Sequence, residues 1–297
     1  MTGCRTGFAR APWPVQCRAF LELTKPRIVL LVLVTTALGF CLGAAGEGSW
    51  AALAWTLAGT ALAAGGAAAL NNYLERDADA CMARTKRRPL PRGVIEPAGA
   101  LAFGVTLVLS GVAILVLRVN LPAAFLVLLA AFLYVLVYTP LKKLTWLSTS
   151  VGAIPGALPP ISGWVAAAGD LDAGAWVLFA VLFAWQHPHF YSIGWMFRED
   201  YRRAGFRMLP ATDGTGHRTF RQVLFFSAAL VAASMALGLT GRAGAVYLAG
   251  ALVAGLFVLG VSVRLSVTRS LPDARRLLRM TIVYLPVLLA LILLDAG

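Results

Sequence analysis

Long apolar runs separated by short polar segments dominate the chain. A run of about 17 to 25 apolar residues is long enough to cross a bilayer as a helix. Nine such runs occur, near residues 28–46, 51–72, 98–117, 121–138, 147–168, 174–196, 222–240, 243–263 and 278–295. The pattern predicts an all-α, polytopic membrane protein whose nine transmembrane helices form one bundle, with a central cavity open to the cytoplasmic side.

The fifth run is the least regular. It contains Pro155, Pro159 and Pro160, and proline removes a backbone donor from a helix. Neighbouring helices or polar groups must compensate for such a loss inside a membrane. We therefore expect a broken helix buried in the bundle. Residues 1–27 precede the first run and are predicted to be a cytoplasmic tail, and residues 28–297 a single transmembrane domain.

Composition supports this reading. Hydrophobic residues make up 59% of the 297 residues and charged residues 13%, against about a quarter charged in a soluble domain. The net charge of +13 follows from topology. If the N-terminus is cytoplasmic, the opposite side carries only Arg118 and Arg242 of the 26 basic residues, so 26 minus 2, or 24, face the cytoplasm. The positive-inside rule then places the C-terminus outside and leaves no reason to expect nucleic acid.

The first twenty residues contain three arginines and no acid. A mitochondrial transit peptide has a similar composition. No clear cleavage region precedes the first apolar run, so we favour a bacterial protein of the cytoplasmic (inner) membrane. The mitochondrial inner membrane is the alternative location.

A polar stripe occupies the end of the second predicted helix. Asn71, Glu75 and Asp79 follow one another at four-residue intervals, so they drift by only about 80° and line one face over about 12 Å of helix. Carboxylate and amide oxygens of this kind suit Mg²⁺, which completes its shell with water and substrate phosphates. Asp77 lies off this face and is expected to pair with a neighbouring arginine.

Fixed cations follow the stripe directly, and they are the groups that bind phosphate. Acids for a metal followed by cations for phosphate predict a diphosphate site. The alternative is that these basic residues only fix the orientation of the chain in the membrane. For Lys143, after the fourth run, phosphate binding and this role in topology are equally favoured. Lys25 and Arg27, before the first helix, are similar. The diphosphate-binding residues we predict are Arg84, Lys86, Arg88 and Lys143.

A second polar cluster ends the sixth predicted helix. Gln186, His187 and His189 lie inside the apolar run, and Asp200 emerges at its cytoplasmic end. Polar groups inside membrane helices usually mark function. An imidazole here could ligate heme iron, orient a propionate or act as acid or base, and the sequence leaves these roles open. A polar cluster thus recurs on the same side of the membrane four helices after the first. This recurrence suggests that the chain has two related halves around one cavity.

The motifs around these residues resemble those of the UbiA-type intramembrane prenyltransferases. The similarity spans essentially the whole chain and, within that superfamily, points to the heme O synthase branch. One segment of this chain resembles the superfamily's first aspartate-rich signature: "NNYLERDADACMARTKRRPLPRG". Four others resemble segments of the heme O synthase branch: "LTKPRI", "GALPP", "FAWQHPHF" and "EDYRRAGFRMLP".

The resemblance implies transfer of a farnesyl group from farnesyl diphosphate to a vinyl group of heme B, with addition of water, in a Mg²⁺-dependent reaction. By position, Asn71, Glu75 and Asp79 match the first metal-diphosphate motif. His189 and Asp200 stand in the second motif, where relatives that act on quinone precursors have several aspartates, and this departure favours heme as acceptor. Asp200 is the predicted ligand of a second metal. The partners implied are farnesyl diphosphate, heme B, membrane lipid, and a downstream heme A synthase or oxidase assembly factor.

Two alternatives remain at this stage. One keeps the chemistry but changes the acceptor to an aromatic quinone precursor. The other is a membrane transporter, because broken helices and polar groups within spans also describe transport pathways. The acids of this chain cluster at helix ends and not at mid-depth, which argues against a transporter.

Overall fold

The computed structural model describes residues 12–241 and 243–295, apart from the side chain of Leu293. Arg242 and the first eleven residues of the predicted tail lie outside the described part. Within it the chain is helical throughout, with no β-strand. The helices are α1 (Trp13–Leu23), α2 (Pro26–Ala44), α3 (Trp50–Cys81), α4 (Pro97–Arg118), α5 (Leu121–Phe132), which continues through a π-helix (Leu133–Tyr138) into α6 (Thr139–Leu141), α7 (Ser148–Ala168), α8 (Ala173–Met196), α9 (Arg198–Arg203), α10 (Leu209–Thr212), α11 (His217–Leu239), α12 (Ala245–Thr268) and α13 (Leu271–Asp295).

Seven helical segments of the described chain are long and apolar enough to cross a membrane. They are α2, α3, α4, α7, α11, α12 and the continuous stretch Leu121–Leu141. The chain is therefore an integral membrane protein, and the predicted all-α fold is confirmed. Helices α8 and α13 coincide with the predicted sixth and ninth spans and have 24 and 25 residues, but they do not belong to this set. The count of nine transmembrane helices stays a prediction.

Helix α7 corrects one expectation. Residues 148–168 form one continuous helix that contains all three prolines, so the prediction of a broken helix is wrong, although the helix is buried as expected. Proline has a φ of about −65°, which is compatible with a helix, and only its donor is lost. Neighbouring side chains also contact the backbone of α7, at carbonyls other than those left by the prolines: the side-chain amide of Gln186 donates to the Ala153 carbonyl at 2.9 Å, and that of Asn120 to the Val165 carbonyl at 2.9 Å.

The helices pack in two groups. In the first, α2 lies along α7 and α3 lies along α4. In the second, α11, α12 and α13 pack in sequence, and α8 contacts α7, α11 and α13. Glycine permits the closest approach, since a Cβ at Gly39 of α2 would lie 1.8 Å from the Pro160 carbonyl oxygen of α7. This packing holds the ends of α3 and α8 in fixed positions.

The predicted tail is partly folded. Within it, α1 packs on the bundle, and its Ala19 and Leu23 are buried in a cluster with Ala69 of α3 and Ala100 of α4. Trp13, at the start of the same helix, is exposed. Residues 13–23 are therefore part of the structured domain, while the cytoplasmic location of this end stays a prediction.

The α2–α7 contact generates a stability prediction. Gly39→Ala should lower the free energy of unfolding by about 1–3 kcal/mol, because the new methyl group meets rigid backbone and the core is overpacked. Gly260→Ala in α12 is the matched control, because a Cβ there has no neighbour within 4 Å and alanine favours helix. Thermal unfolding of the purified protein in detergent measures both. Equal unfolding midpoints for the two variants would show that the close contact between α2 and α7 does not determine the stability.

Candidate diphosphate site

The polar stripe predicted on the second span is present and buried. Asn71, Glu75 and Asp79 share one face of α3 and are 1%, 6% and 1% exposed. Helix α3 runs for 32 residues, which exceeds the roughly 20 needed to span a bilayer, so its last turns carry the stripe past the apolar part. Asp77 points away, with a side chain that is 82% exposed, and contacts Arg76 at 3.8 Å, as expected.

Asn71 links α3 to the start of α2 and to α6. Its Oδ1 accepts a hydrogen bond from Lys25 Nζ at 2.7 Å, and its Nδ2 donates to Thr139 Oγ1 at 2.9 Å. The Thr139 hydroxyl in turn donates to the Tyr134 carbonyl at 2.8 Å. This chain of donors fixes the amide so that its oxygen faces the lysine.

Lys25 is held in an unusual conformation. Its φ and ψ are 51° and 63°, in the left-handed region that residues other than glycine seldom adopt, directly before Pro26. Such backbone strain costs about 1–3 kcal/mol and clusters at functional sites. Burial and, next, the positive charge of Arg88 lower the pKa of the Lys25 ammonium to about 7, because its partner Asn71 is a neutral amide.

Glu75 is paired with Lys142. Lys142 Nζ donates to Glu75 Oε1 at 2.7 Å, and the two side chains are 13% and 8% exposed. Burial by itself would lower the pKa of Lys142, but the neighbouring Tyr138 and the Glu75 carboxylate outweigh it and raise that pKa above its ordinary value. Lys142 is therefore a permanent cation facing the stripe.

Asp79 accepts from the loop that follows α3. Arg88 Nη1 donates to Asp79 Oδ2 at 2.7 Å, and Thr85 Oγ1 donates to the Asp79 carbonyl at 2.9 Å. The other carboxylate oxygen, Oδ1, is buried and has no hydrogen-bond partner in the described structure. A buried acceptor left unpaired costs about 1–3 kcal/mol, which makes this oxygen a ready ligand for a cation.

The predicted phosphate-binding residues divide into inner and outer groups. Arg88 lies at the stripe, whereas Arg84, Lys86 and Lys143 are exposed. The structure places Lys142 on the stripe, and not its neighbour Lys143. From the sequence, both Lys142 and Lys143 can bind phosphate and Lys143 is the predicted residue. Adjacent residues of a helical turn point about 100° apart, and only packing shows which one faces inward. Thr139 was also missed, because a threonine beside a proline carries no distinguishing signal.

In the second cluster, Gln186 and His187 are fully engaged by contacts within the bundle. Gln186 is buried and its Nε2 donates to Ala153 and Leu182 carbonyls. His187 is fully buried, with Nδ1 2.8 Å from the Phe183 carbonyl and Nε2 3.1 Å from Ser150 Oγ. Both ring nitrogens of His187 are thus engaged, so a role in binding heme requires the side chain to move.

His189 differs from His187. Its Nδ1 lies 3.0 Å from Thr281 Oγ1, and that hydroxyl donates its proton to the Leu278 carbonyl at 2.8 Å. With the hydroxyl proton directed to Leu278, Nδ1 carries the hydrogen and Nε2 is left as an acceptor. The ring stacks on Trp185, with centroids 4.7 Å apart, and is only partly buried. His189 has the tautomer needed to bind a metal or accept a proton.

The segment after α8 contacts the segment after α3. Arg84 donates to the Tyr201 hydroxyl at 3.0 Å and lies over the ring of Phe197. Asp200, on α9, forms an ion pair with Arg203. The two predicted motifs therefore meet at one end of the bundle, although the Asp200 carboxylate has a local arginine as its partner.

The donor set fits Mg²⁺ only together with a phosphate ligand. Across residues 12–241 and 243–295, no group of three His, Cys, Asp or Glu could hold a metal ion. A Mg²⁺ ion bound with substrate phosphates needs only one or two carboxylates. Glu75 and Asp79, with the free Oδ1 of Asp79, meet that requirement.

The model of the UbiA prenyltransferase family matches residues 32–285. The protoheme IX farnesyltransferase of Solibacter usitatus is 46% identical over 94% of this chain and 98% of its own, and that of Salinibacter ruber is 42% identical over 93% and 98%. Among solved structures, a digeranylgeranylglyceryl phosphate synthase matches with a TM-score of 0.79 at 16% identity, covering 95% and 98%. A UbiA homologue from Archaeoglobus fulgidus bound to GPP and Mg²⁺ matches with a TM-score of 0.64 at 16% identity, covering 92% and 99%.

The Glu75–Lys142 pair predicts a difference between adjacent lysines. Lys142→Met leaves Glu75 buried without its cation and should lower the free energy of unfolding by about 3–5 kcal/mol. Lys143→Met removes an exposed charge of the same size and should have little effect. Thermal unfolding in detergent measures both. If the two variants lose equal stability, the buried pair is not what holds this end of the bundle.

Proposed function

The chain belongs to the UbiA prenyltransferase family, and we propose that it transfers the farnesyl group of farnesyl diphosphate to a vinyl group of heme B. Water adds in the same reaction, and the products are heme O and diphosphate, for assembly of heme-copper oxidases. Near full-length similarity to proteins named protoheme IX farnesyltransferase supports the substrates. The observation that carries the chemistry is the buried stripe of Asn71, Glu75 and Asp79, with a cation on each member.

Charge at the stripe suits a diphosphate. Two carboxylates, Glu75 and Asp79, are matched by two cations, Arg88 and Lys142. Lys25, whose ammonium has a pKa of about 7, adds a further positive charge when it is protonated. Fixed cations bind phosphate oxygens strongly where water is scarce. When the diphosphate binds, each cation exchanges its contact on α3 for a phosphate oxygen. Arg84, Lys86 and Lys143 stay as the proposed outer group, which the substrate meets first.

Asn71, Glu75 and Asp79 would hold Mg²⁺, with Asp200 as the proposed ligand of a second ion. The metal supplies positive charge where the leaving diphosphate gains negative charge. Lys25, Arg88 and Lys142 act on the same charge. They stabilise the departing group more than the bound substrate, and this difference accelerates the reaction.

Loss of diphosphate breaks the allylic C–O bond, and the electron pair leaves with the phosphate oxygen. The π electrons of the vinyl group form a bond to the farnesyl cation and leave the positive charge on the other vinyl carbon. Water bonds to that carbon and loses a proton, which gives the hydroxyl group. On the acceptor side we propose His189 as the residue that meets heme B, through the Nε2 lone pair. His187 and Gln186 stay as proposed heme-binding neighbours that shape the wall behind it.

We place the protein in the bacterial cytoplasmic membrane, with the N-terminus inside and the C-terminus outside, on the asymmetry of the basic residues. Residues 28–297 act as a single prenyltransferase domain, to which α1 of the 1–27 segment adds. The downstream partners are a heme A synthase or oxidase assembly factors, because the product is their substrate.

The two neighbouring aspartates test the stripe. Asp79→Ala should lower the rate of farnesyl transfer to heme B by about a hundredfold or more, the size typical of removing one group that stabilises transition-state charge. Asp77→Ala removes the same group from the exposed face and should keep activity. The assay follows labelled farnesyl diphosphate into heme by mass spectrometry. Undiminished transfer by the Asp79 variant would remove the stripe from the mechanism.

The two histidines separate acceptor binding from packing. His189→Ala should raise the KM for heme B by about tenfold, the value of one lost polar contact, with the KM for farnesyl diphosphate unchanged. His187→Ala should instead lower thermal stability, because its Nε2 contacts Ser150 of α7 and its Nδ1 contacts the Phe183 carbonyl of its own helix. A rise in both KM values for the His189 variant would contradict the assignment to the acceptor side.

The acceptor itself is decided by competition. The purified protein is offered labelled farnesyl diphosphate with heme B or with 4-hydroxybenzoate, and only heme should be labelled. Heme extracted from cells with and without the chain gives the same answer in vivo, because a hydroxyethylfarnesyl heme should appear only with it. Labelled 4-hydroxybenzoate would show that the acceptor is an aromatic quinone precursor and not heme. Failure to release diphosphate in the presence of Mg²⁺ would show that the protein is not a prenyltransferase.

A further inference from the structure

An apolar groove runs along α12 and α13, the two helices nearest the C-terminus. Its volume is about 520 Å³, and its lining is almost entirely hydrocarbon. Phe257 and Val283 are more than half exposed, so the groove faces outward. Along α13 it extends from Met280 to Leu291, a length of about 16 Å at 1.5 Å per residue.

Two arginines stand at one end of this groove. Arg264 of α12 and Arg276 of α13 share one carboxylate, that of Asp273, at 3.0 and 2.9 Å. Asp273 also accepts from Thr268 and Ser270 at 2.7 and 3.0 Å, so the turn between the helices is rigid. Two positive charges on one negative charge leave an excess of one at the groove's mouth.

The arginines and the groove lie on the same helix faces. At about 100° per residue, Met280, Val283 and Val287 fall within about 40° of Arg276 around α13, and Phe257 falls within about 20° of Arg264 around α12. Arg276 stands four residues before Met280, or about 6 Å along the axis. A molecule with a charged end and a long apolar chain could contact both parts at once.

The arginines have donors to spare. Asp273 is 5% exposed, whereas Arg264 and Arg276 are 61% and 54% exposed, and each guanidinium carries five N–H groups. A single contact to Asp273 uses few of them. The remaining donors belong to side chains that are more than half exposed, and the planar guanidinium group matches the geometry of phosphate oxygens.

We propose that this groove is a binding site for an anionic phospholipid, with its phosphate on Arg264 and Arg276 and one acyl chain along Met280, Val283 and Val287. Net positive charge at the mouth selects an anionic headgroup over a zwitterionic one. Basic pockets at helix ends recognise anionic lipids by the same physics. The site is separate from the stripe on α3, and it does not depend on the proposed reaction.

The test counts lipids that remain on the full-length protein. The protein is equilibrated in nanodiscs of phosphatidylcholine and phosphatidylglycerol in equal parts, gently extracted, and analysed by native mass spectrometry. Phosphatidylglycerol should be enriched over its share of the bilayer. The double variant Arg264→Gln, Arg276→Gln should retain phosphatidylglycerol less well, by about thirtyfold, since two cations at about 1 kcal/mol each contribute about 2 kcal/mol.

Two further variants keep the test specific. Arg221→Gln with Arg275→Gln removes the same charge from exposed arginines that do not stand at the groove, and retention should be unchanged. Val283→Trp fills the groove without changing charge, and retention should fall; it decides the matter if the first double variant does not fold. An equal loss in the control pair, retained lipid of bilayer composition, or displacement of phosphatidylglycerol by farnesyl diphosphate would each overturn the proposal.

Discussion

The burial of three polar side chains at the end of α3 is the constraint on which this end of the molecule depends. An unpaired charge in a low-dielectric interior is costly, and a paired one is tolerated. Asn71, Glu75 and Asp79 meet this condition with Lys25 from the start of α2, Lys142 from the end of α6 and Arg88 from the loop after α3. Three segments far apart in sequence therefore converge on one helix face.

The same pairing is suited to a site that binds and releases a charged substrate. Ion pairs within the chain hold the two carboxylates, and their cations are the groups that the proposed diphosphate would contact. The left-handed backbone at Lys25 and the unpaired Oδ1 of Asp79 indicate that stability is not maximal at this site. Such local cost is expected where structure serves binding and not only folding.

The sequence predicts the structure correctly where the physics is local. The apolar runs predicted the helices, and the four-residue spacing of Asn71, Glu75 and Asp79 predicted a shared face, because both follow from helix geometry alone. It failed at α7, where proline content suggested a break. Whether a helix survives three prolines depends on what packs against it. Of the helices that pack on α7, α2 is far from it in sequence and α8 follows it after a turn.

The amino-acid sequence by itself determined that this is a helical membrane protein with acids and cations at one end, since hydropathy, spacing and charge asymmetry are properties of the chain. Only the tertiary structure decided that Lys142, and not Lys143, pairs with Glu75, and that His187 is engaged on both nitrogens while His189 keeps one available. It also brought Arg264, Arg276 and the apolar groove to one place. Direction and burial of a side chain depend on its neighbours, and those neighbours come from distant parts of the sequence.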